Sequence, residues 1–152
     1  MTDRSVFSED EWHALTDAPL LVTLAIFATG EHGPISMVKE ASASARAIAR
    51  PGDRGSADTL IAEIAAEAES KEARHDMKEH QGKSMDETLQ RSLADLEPAA
   101  TALGKLPSDE AAQVGAWLID IAKAVAGAAK TVNPDEQAAI DKISTLFTPT
   151  TA

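Results

Sequence analysis

Val114, Leu118, Ile121 and Val125 recur with 4-3-4 spacing, and Trp117 stands beside them. That spacing lays large apolar side chains along one stripe of an α-helix and commits the segment to face a core. The helical period returns in Leu60, Ile61, Ile64, Ala65 and Ala68, and again in Met85, Leu89, Leu93 and Leu96, which sit on one stripe. No segment alternates apolar and polar residues convincingly with period two. Such a chain is expected to be all-α, a compact bundle of about six to eight helices joined by short loops.

Local signals punctuate the helices. Ser8 and Glu11 form a capping box ahead of Trp12 and Leu15, opening a short first helix. Asp17, Ala18 and Pro19 then start a second, central helix through Leu20, Leu21, Val22, Leu24, Ile26 and Phe27, ended by Gly30. After a Gly30–Gly33 turn, Pro34 opens a third, in which Ile35, Val38 and Ile48 are padded by Ala41, Ala45 and Ala49. Pro51, Gly52, Asp53, Arg54, Gly55 and Ser56 make a break, and a fourth helix follows from Ala57. Between Glu69 and Ser84 the only large apolar residue is Met77, and Gly82 is expected to end that helix. Ser84 and Glu87 cap a fifth, which Pro98 breaks or kinks. Pro107 and Ser108 precede the Trp117 helix, and Asn133 with Pro134 starts the last, through Ile140, Ile143, Leu146 and Phe147. One domain over 1–152 is expected, with a weaker reading as two pseudo-repeated lobes, 1–68 and 84–152, joined by a charged helix 69–83. The echo behind the second reading is an apolar helix, a polar turn and a helix begun by proline, seen at Leu20–Pro34 and at Trp117–Pro134.

Charge and composition exclude several functions. Against 25 Asp and Glu the chain has 14 Lys and Arg, a formal charge of −11 and a pI near 4.7, so no basic stripe exists to neutralise nucleic-acid phosphates or to hold anionic lipid. The absence of cysteine removes disulfides, thiolate metal sites and thiol nucleophiles. Alanine contributes 30 of 152 residues, and the aromatics are Phe7, Trp12, Phe27, Trp117 and Phe147. Stripes such as Ala41, Ala45, Ala49 and Ala122, Ala126, Ala129 allow close helix approach, in a core or along a homodimer seam. The N-terminal residues lack the apolar run of a secretion signal, and Ala18–Ala28 is shorter than the roughly 20 residues that span a bilayer, so a cytoplasmic protein is expected.

Trp12, Leu15, Ala18, Pro19, Leu21 and Val22 in one half resemble small bacterial all-helical proteins. So do Ala116, Trp117, Leu118, Ile121, Ala122, Val125, Ala126 and Ala129 in the other, followed by Pro134, Glu136 and Ile140. More distantly, the chain is similar to the tellurite-resistance TerB-like helical family. In that family an Asp-Gly turn is followed by Ser or Thr and then Glu in the next helix, and the acids are associated with ion binding. Here the first turn reads Thr29-Gly30-Glu31-His32-Gly33-Pro34-Ile35-Ser36, with Glu40 one place later than the pattern. The second, Val132-Asn133-Pro134-Asp135-Glu136, matches better. The resemblance implies the fold and, at these acids, an ion.

Candidate chemistry centres on acids and histidines. Ile61, Ala65, Ala68, Glu72, His75 and Glu79 continue one seam, so a stripe that begins apolar turns acidic, and Glu72-x-x-His75 has the spacing used by carboxylate-bridged di-metal bundles. Such a site needs a second motif, for which Asp10-x-x-His13 is a poor partner. The competing reading is a solvated helix face on which these acids pair with Lys71, Arg74 and Lys78. Glu31 and His32 supply an acid and an imidazole on the glycine turn. No nucleophile constellation is present, and Gly82-Lys83-Ser84 lacks the preceding glycine of a phosphate loop. The expectation is therefore a non-enzymatic interaction or stress-associated module with a protein partner or a second copy of itself and no required cofactor. The alternatives are a divalent-metal-binding domain drawing on Glu31, His32, Glu40, Glu72, His75, Glu79 and Glu136, and a small hydrolase.

Overall fold

The computed structural model describes residues 3–29, 34–70, 84–128 and 134–148, with the backbone alone for 34–38. Among them are a 3-10 turn at Arg4–Val6 and seven α-helices, with no strand: α1 Glu9–Phe27, α2 Pro34–Ala49, α3 Asp58–Ala68, α4 Met85–Asp95, α5 Glu97–Leu103, α6 Ser108–Ala128 and α7 Pro134–Phe147. None of the described helices is long and apolar enough to cross a membrane.

The expected first and second helices are one. α1 starts at the Ser8–Glu11 capping box and runs without interruption through Pro19. A proline inside a helix costs about 3 kcal/mol or more because it removes one backbone hydrogen bond and crowds the preceding turn. Here Trp12 and Leu15 on one side of it, and Leu21, Val22 and Ile26 on the other, are all buried in the same core, which holds the two halves in line. Pro98 behaves as expected, standing in the first turn of α5 just after α4 ends.

Three contacts fix the relative directions. Thr23 Oγ1 meets Ser44 Oγ at 2.7 Å between α1 and α2, Trp117 Nε1 donates to the Ala47 carbonyl at 3.3 Å between α6 and α2, and Lys105 Nζ reaches Glu11 at 2.6 Å. α1 and α6 therefore run parallel, and α2 runs antiparallel to both. α7 folds back along α6 so closely that a Cβ on Gly115 would stand 2.5 Å from the Phe147 carbonyl oxygen. α2 and α7 each pack on the α1/α6 pair and make no extensive contact with each other, so they occupy opposite flanks. α4 descends along α1, and α5 closes the end where α1 begins.

Segment 50–57 is a strap between α2 and α6. Arg54 bonds Asp120 at 2.8 Å and the Pro51 carbonyl at 2.7 Å, while the Ala57 amide donates to Gln113 at 2.8 Å. Gly52 and Gly55 take φ of 77° and 107°, a region that costs side-chain-bearing residues strain.

α4 is where the periodicity misleads. Its buried positions are Thr88 and Ser92, with Leu96 fully buried at its C-cap, whereas Leu89 and Leu93 are half-buried and Met85 is 54% exposed. Small hydroxyl residues let α4 approach α1 closely, and Ser92 satisfies its hydroxyl on the Thr88 carbonyl at 2.7 Å. Leu89 and Leu93 are left straddling the edges of the contact.

Lys105 draws the carboxyl of Glu11 down from the ordinary 4.5 to about 2, with the Ser8 amide contributing. Because the folded value lies below the unfolded one, this pair stabilises the fold above pH 4.5, and the contribution disappears as the pH falls toward 2. Glu11→Gln should therefore melt lower than the parent at pH 7, with the gap closing between pH 4.5 and 2 and shrinking in high salt. A gap that persists unchanged at pH 2 would mean the loss arises from packing.

Candidate functional site

Of the seven acids and histidines singled out from sequence, Glu31, His32, Glu72, His75 and Glu79 lie outside the described residues. The other two, Glu40 and Glu136, are 0% and 2% exposed. Carboxylates rarely sit so deep unless something compensates the lost hydration. Glu136 is the third residue of α7, where a carboxylate faces the unsatisfied amides of a helix's first turn. Glu40 stands farther down its helix, in the middle of α2.

Their heights in the bundle agree. From the Trp117–Ala47 contact, seven residues up α6 and seven back along α2 bring Glu40 level with Ala124. From Gly115 and Phe147, eleven residues along each helix bring Glu136 level with Ala126. At about 1.5 Å per residue the two acids are within one helical turn in height, each in its own hairpin, on opposite flanks of α1/α6. This is the end at which α1 and α6 finish and α2 and α7 begin. α3 also finishes there, since Ala68 and Glu69 share a cleft with Phe27 and Ala41. Among the described residues no three acids or histidines stand close enough together to hold a metal ion. Asp10 and His13 are exposed on the outer side of α1, away from that end.

A third deeply buried acid, Glu110 at 3% exposure in the first turn of α6, was not legible as special. The signal available was its place just after Pro107-Ser108 among acids favourable to a helix start, which reads equally well as an exposed cap.

Several concavities indent the described surface, among them two between neighbouring helices. A groove of about 540 Å³ runs between α4 and α7, floored by Leu93, Ala94 and Leu146 and edged by Gln90, Glu97, Asp141, Lys142 and Thr145. It exists because α4 rests on α1 and α7 mainly on α6, and the two hardly touch each other. A cleft of about 480 Å³ lies between α1, α2 and the end of α3. Elsewhere the described surface carries few large apolar side chains, Val6 and Met85 being the exposed ones. No family model, curated protein or solved structure matches the chain.

Proposed function

We propose that the protein is a non-enzymatic interaction module whose α4–α7 groove receives an amphipathic helix of a partner protein, with an apolar seam and basic flanks. The observation that carries this reading is the make-up of the groove. Half-buried Leu93 and Leu146 flank exposed Ala94, and no described side chain covers them. Such a trough between two parallel helices suits a helix presenting residues three and four apart. From Gln90 to Glu97 it accommodates about two turns at 1.5 Å per residue. On the edges Glu97 and Asp141 outnumber Lys142, and together with a chain charge of −11 they attract a basic partner and repel an acidic one.

The test uses a labelled helical Leu/Lys peptide and its Leu/Glu counterpart with the same apolar seam, followed by anisotropy. Ala94→Arg places a bulky cation in the trough at an exposed helical position that tolerates it. It should weaken Leu/Lys binding by about tenfold or more, equivalent to roughly 1.4 kcal/mol. Equal binding of the Leu/Glu peptide, or an affinity unmoved by Ala94→Arg, would rule the groove out as the receptor.

A second reading, divalent-cation binding, is supported by the burial of Glu40 and Glu136 at one height and by the TerB-like resemblance of the turns they follow. A bound ion at about 100 times its Kd would raise stability by roughly 2.7 kcal/mol. Thermal melts of chelator-treated protein with magnesium, calcium, manganese or zinc should then shift; since the two acids lie on opposite flanks, Glu40→Gln and Glu136→Gln should each remove the part of the shift that arises on its own flank, and the pair together should abolish it. No shift with any ion removes this reading.

A further inference from the structure

The cleft between α1, α2 and the end of α3 is independent of the α4–α7 groove. Its walls are Leu20, Phe27 and Ile48, and its width comes from Ala41, Ala45 and Ala68, whose methyl groups leave space that larger side chains would fill. At about 480 Å³ it falls within the roughly 300–1,000 Å³ of small-molecule sites. Two features give this apolar cleft a chemical preference.

The first is its polar floor. Thr23 and Ser44 are 8% and 5% exposed, and their hydroxyl oxygens are 2.7 Å apart. Thr23 has one hydroxyl hydrogen, and it is donated to the Pro19 carbonyl at 3.0 Å. With that hydrogen on the Pro19 carbonyl, the Thr23–Ser44 bond takes its hydrogen from Ser44, whose Oγ keeps lone pairs that can accept from a donor in the cleft. The second feature is Glu69, an exposed carboxylate on the rim that only accepts when ionised. Arg46, the nearby cation on α2, is folded back on its own helix, with Nε donating to the Ser42 carbonyl at 3.4 Å. An apolar slot with an acceptor at its floor and an anion at its mouth complements an apolar body bearing a head that is both cationic and rich in N–H donors.

We infer that this cleft binds a small primary amine in its ammonium form, with the hydrocarbon or aromatic body against Leu20, Phe27 and Ile48 and the ammonium shared between Ser44 Oγ and the field of Glu69. A free alkylamine and a lysine side chain of a peptide offer the same head, and separate arms of the experiment distinguish them.

The experiment is ligand-observed NMR and amide-shift titration of the full chain with 2-phenylethylamine, 2-phenylethanol, phenylacetate and an end-blocked lysine dipeptide. The amine should shift amides of α1, α2 and the end of α3 and bind at least about tenfold more tightly than the alcohol, because charge-assisted bonds are the stronger kind. Phenylacetate should not bind. A preference for the lysine dipeptide over the free amine would identify a peptide source. Ser44→Ala should reduce the amine's advantage over the alcohol, and Ala45→Trp, at an exposed position of α2, should block both. Equal affinity for amine and alcohol, shifts confined to α4 and α7, or binding unchanged in Ala45→Trp would each overturn the assignment. Because Ala94→Arg leaves this cleft untouched, failure here is separable from failure at the groove.

Discussion

Trp117→Ala is expected to be among the most damaging single substitutions in the molecule, lowering stability by about 3–5 kcal/mol. The indole is 1% exposed on α6 and lies against α2. Its loss combines a large buried apolar area with a cavity that rigid helices on both sides cannot close. It also removes a hydrogen bond whose origin is readable in the chain. The Ala47 carbonyl would ordinarily accept from the amide four residues on, but that residue is Pro51, which has none. The Trp117 indole N–H supplies the bond at 3.3 Å. Trp117→Phe keeps most of the ring and loses the donor, and should cost about 1 kcal/mol from that bond plus a smaller packing loss. Urea denaturation followed by far-ultraviolet dichroism separates the two, with a midpoint drop of roughly 6–20 °C in a parallel melt for the alanine variant. If Trp117→Ala melted within about 2 °C of the parent, the α2–α6 contact would not be a main support of the fold.

Gly115→Ala carries the second large expectation, and its sign opposes helix propensity. In a helix interior Ala is favoured over Gly by about 1 kcal/mol. At position 115, however, the new methyl would stand 2.5 Å from the Phe147 carbonyl and 3.2 Å from its Cβ. The obstacle is backbone at the last residue of α7, so α7 must move away from α6, at a cost typical of overpacking, about 1–3 kcal/mol. Gly127, on the same helix, has nothing within 4 Å of the equivalent point. Gly127→Ala should therefore stabilise by up to about 1 kcal/mol. The paired chemical denaturations make the comparison internal, because both changes add the same methyl group to one helix, at a crowded and at an open position. A Gly115→Ala variant as stable as Gly127→Ala would show that α6 and α7 are not in that close contact.

Much of the architecture is legible in local signals. The Ser8–Glu11 box and the Ser84 cap form where expected, Pro134 opens α7, and the Val114–Val125 stripe is buried at every large position. These features are local: a cap satisfies amides within one turn, and a stripe of branched or aromatic side chains has no low-energy alternative to burial. The errors share a different cause. Pro19 reads as a helix start because proline is tolerated there at no cost, yet it sits inside α1, because the core holds both of its neighbouring half-helices. The Met85–Leu96 stripe meets the core only in part: Leu96 is fully buried and Leu89 and Leu93 pack against the core at half-burial, but Met85 is exposed, and Thr88 and Ser92 take the closest contact because they are small. The candidate site is less legible still. Glu40 and Glu136 stand out in the sequence by their place after turns, but depth, common height and opposite flanks are properties of how the hairpins stack.

By itself, then, the chain's periodicity determines that it is all helical, where most helices begin and end, and that its core is built from alanine and branched aliphatics around Trp117. The composition likewise sets a formal net charge of −11, which does not depend on folding. The tertiary structure alone decides which small residues become contact lines, which carboxylates lose their water, and where α4 on α1 and α7 on α6 stand side by side without touching enough to close the groove between them. Helix formation depends on neighbours within about four residues, whereas burial and concavity depend on pairs of surfaces that meet only after the chain has turned back on itself.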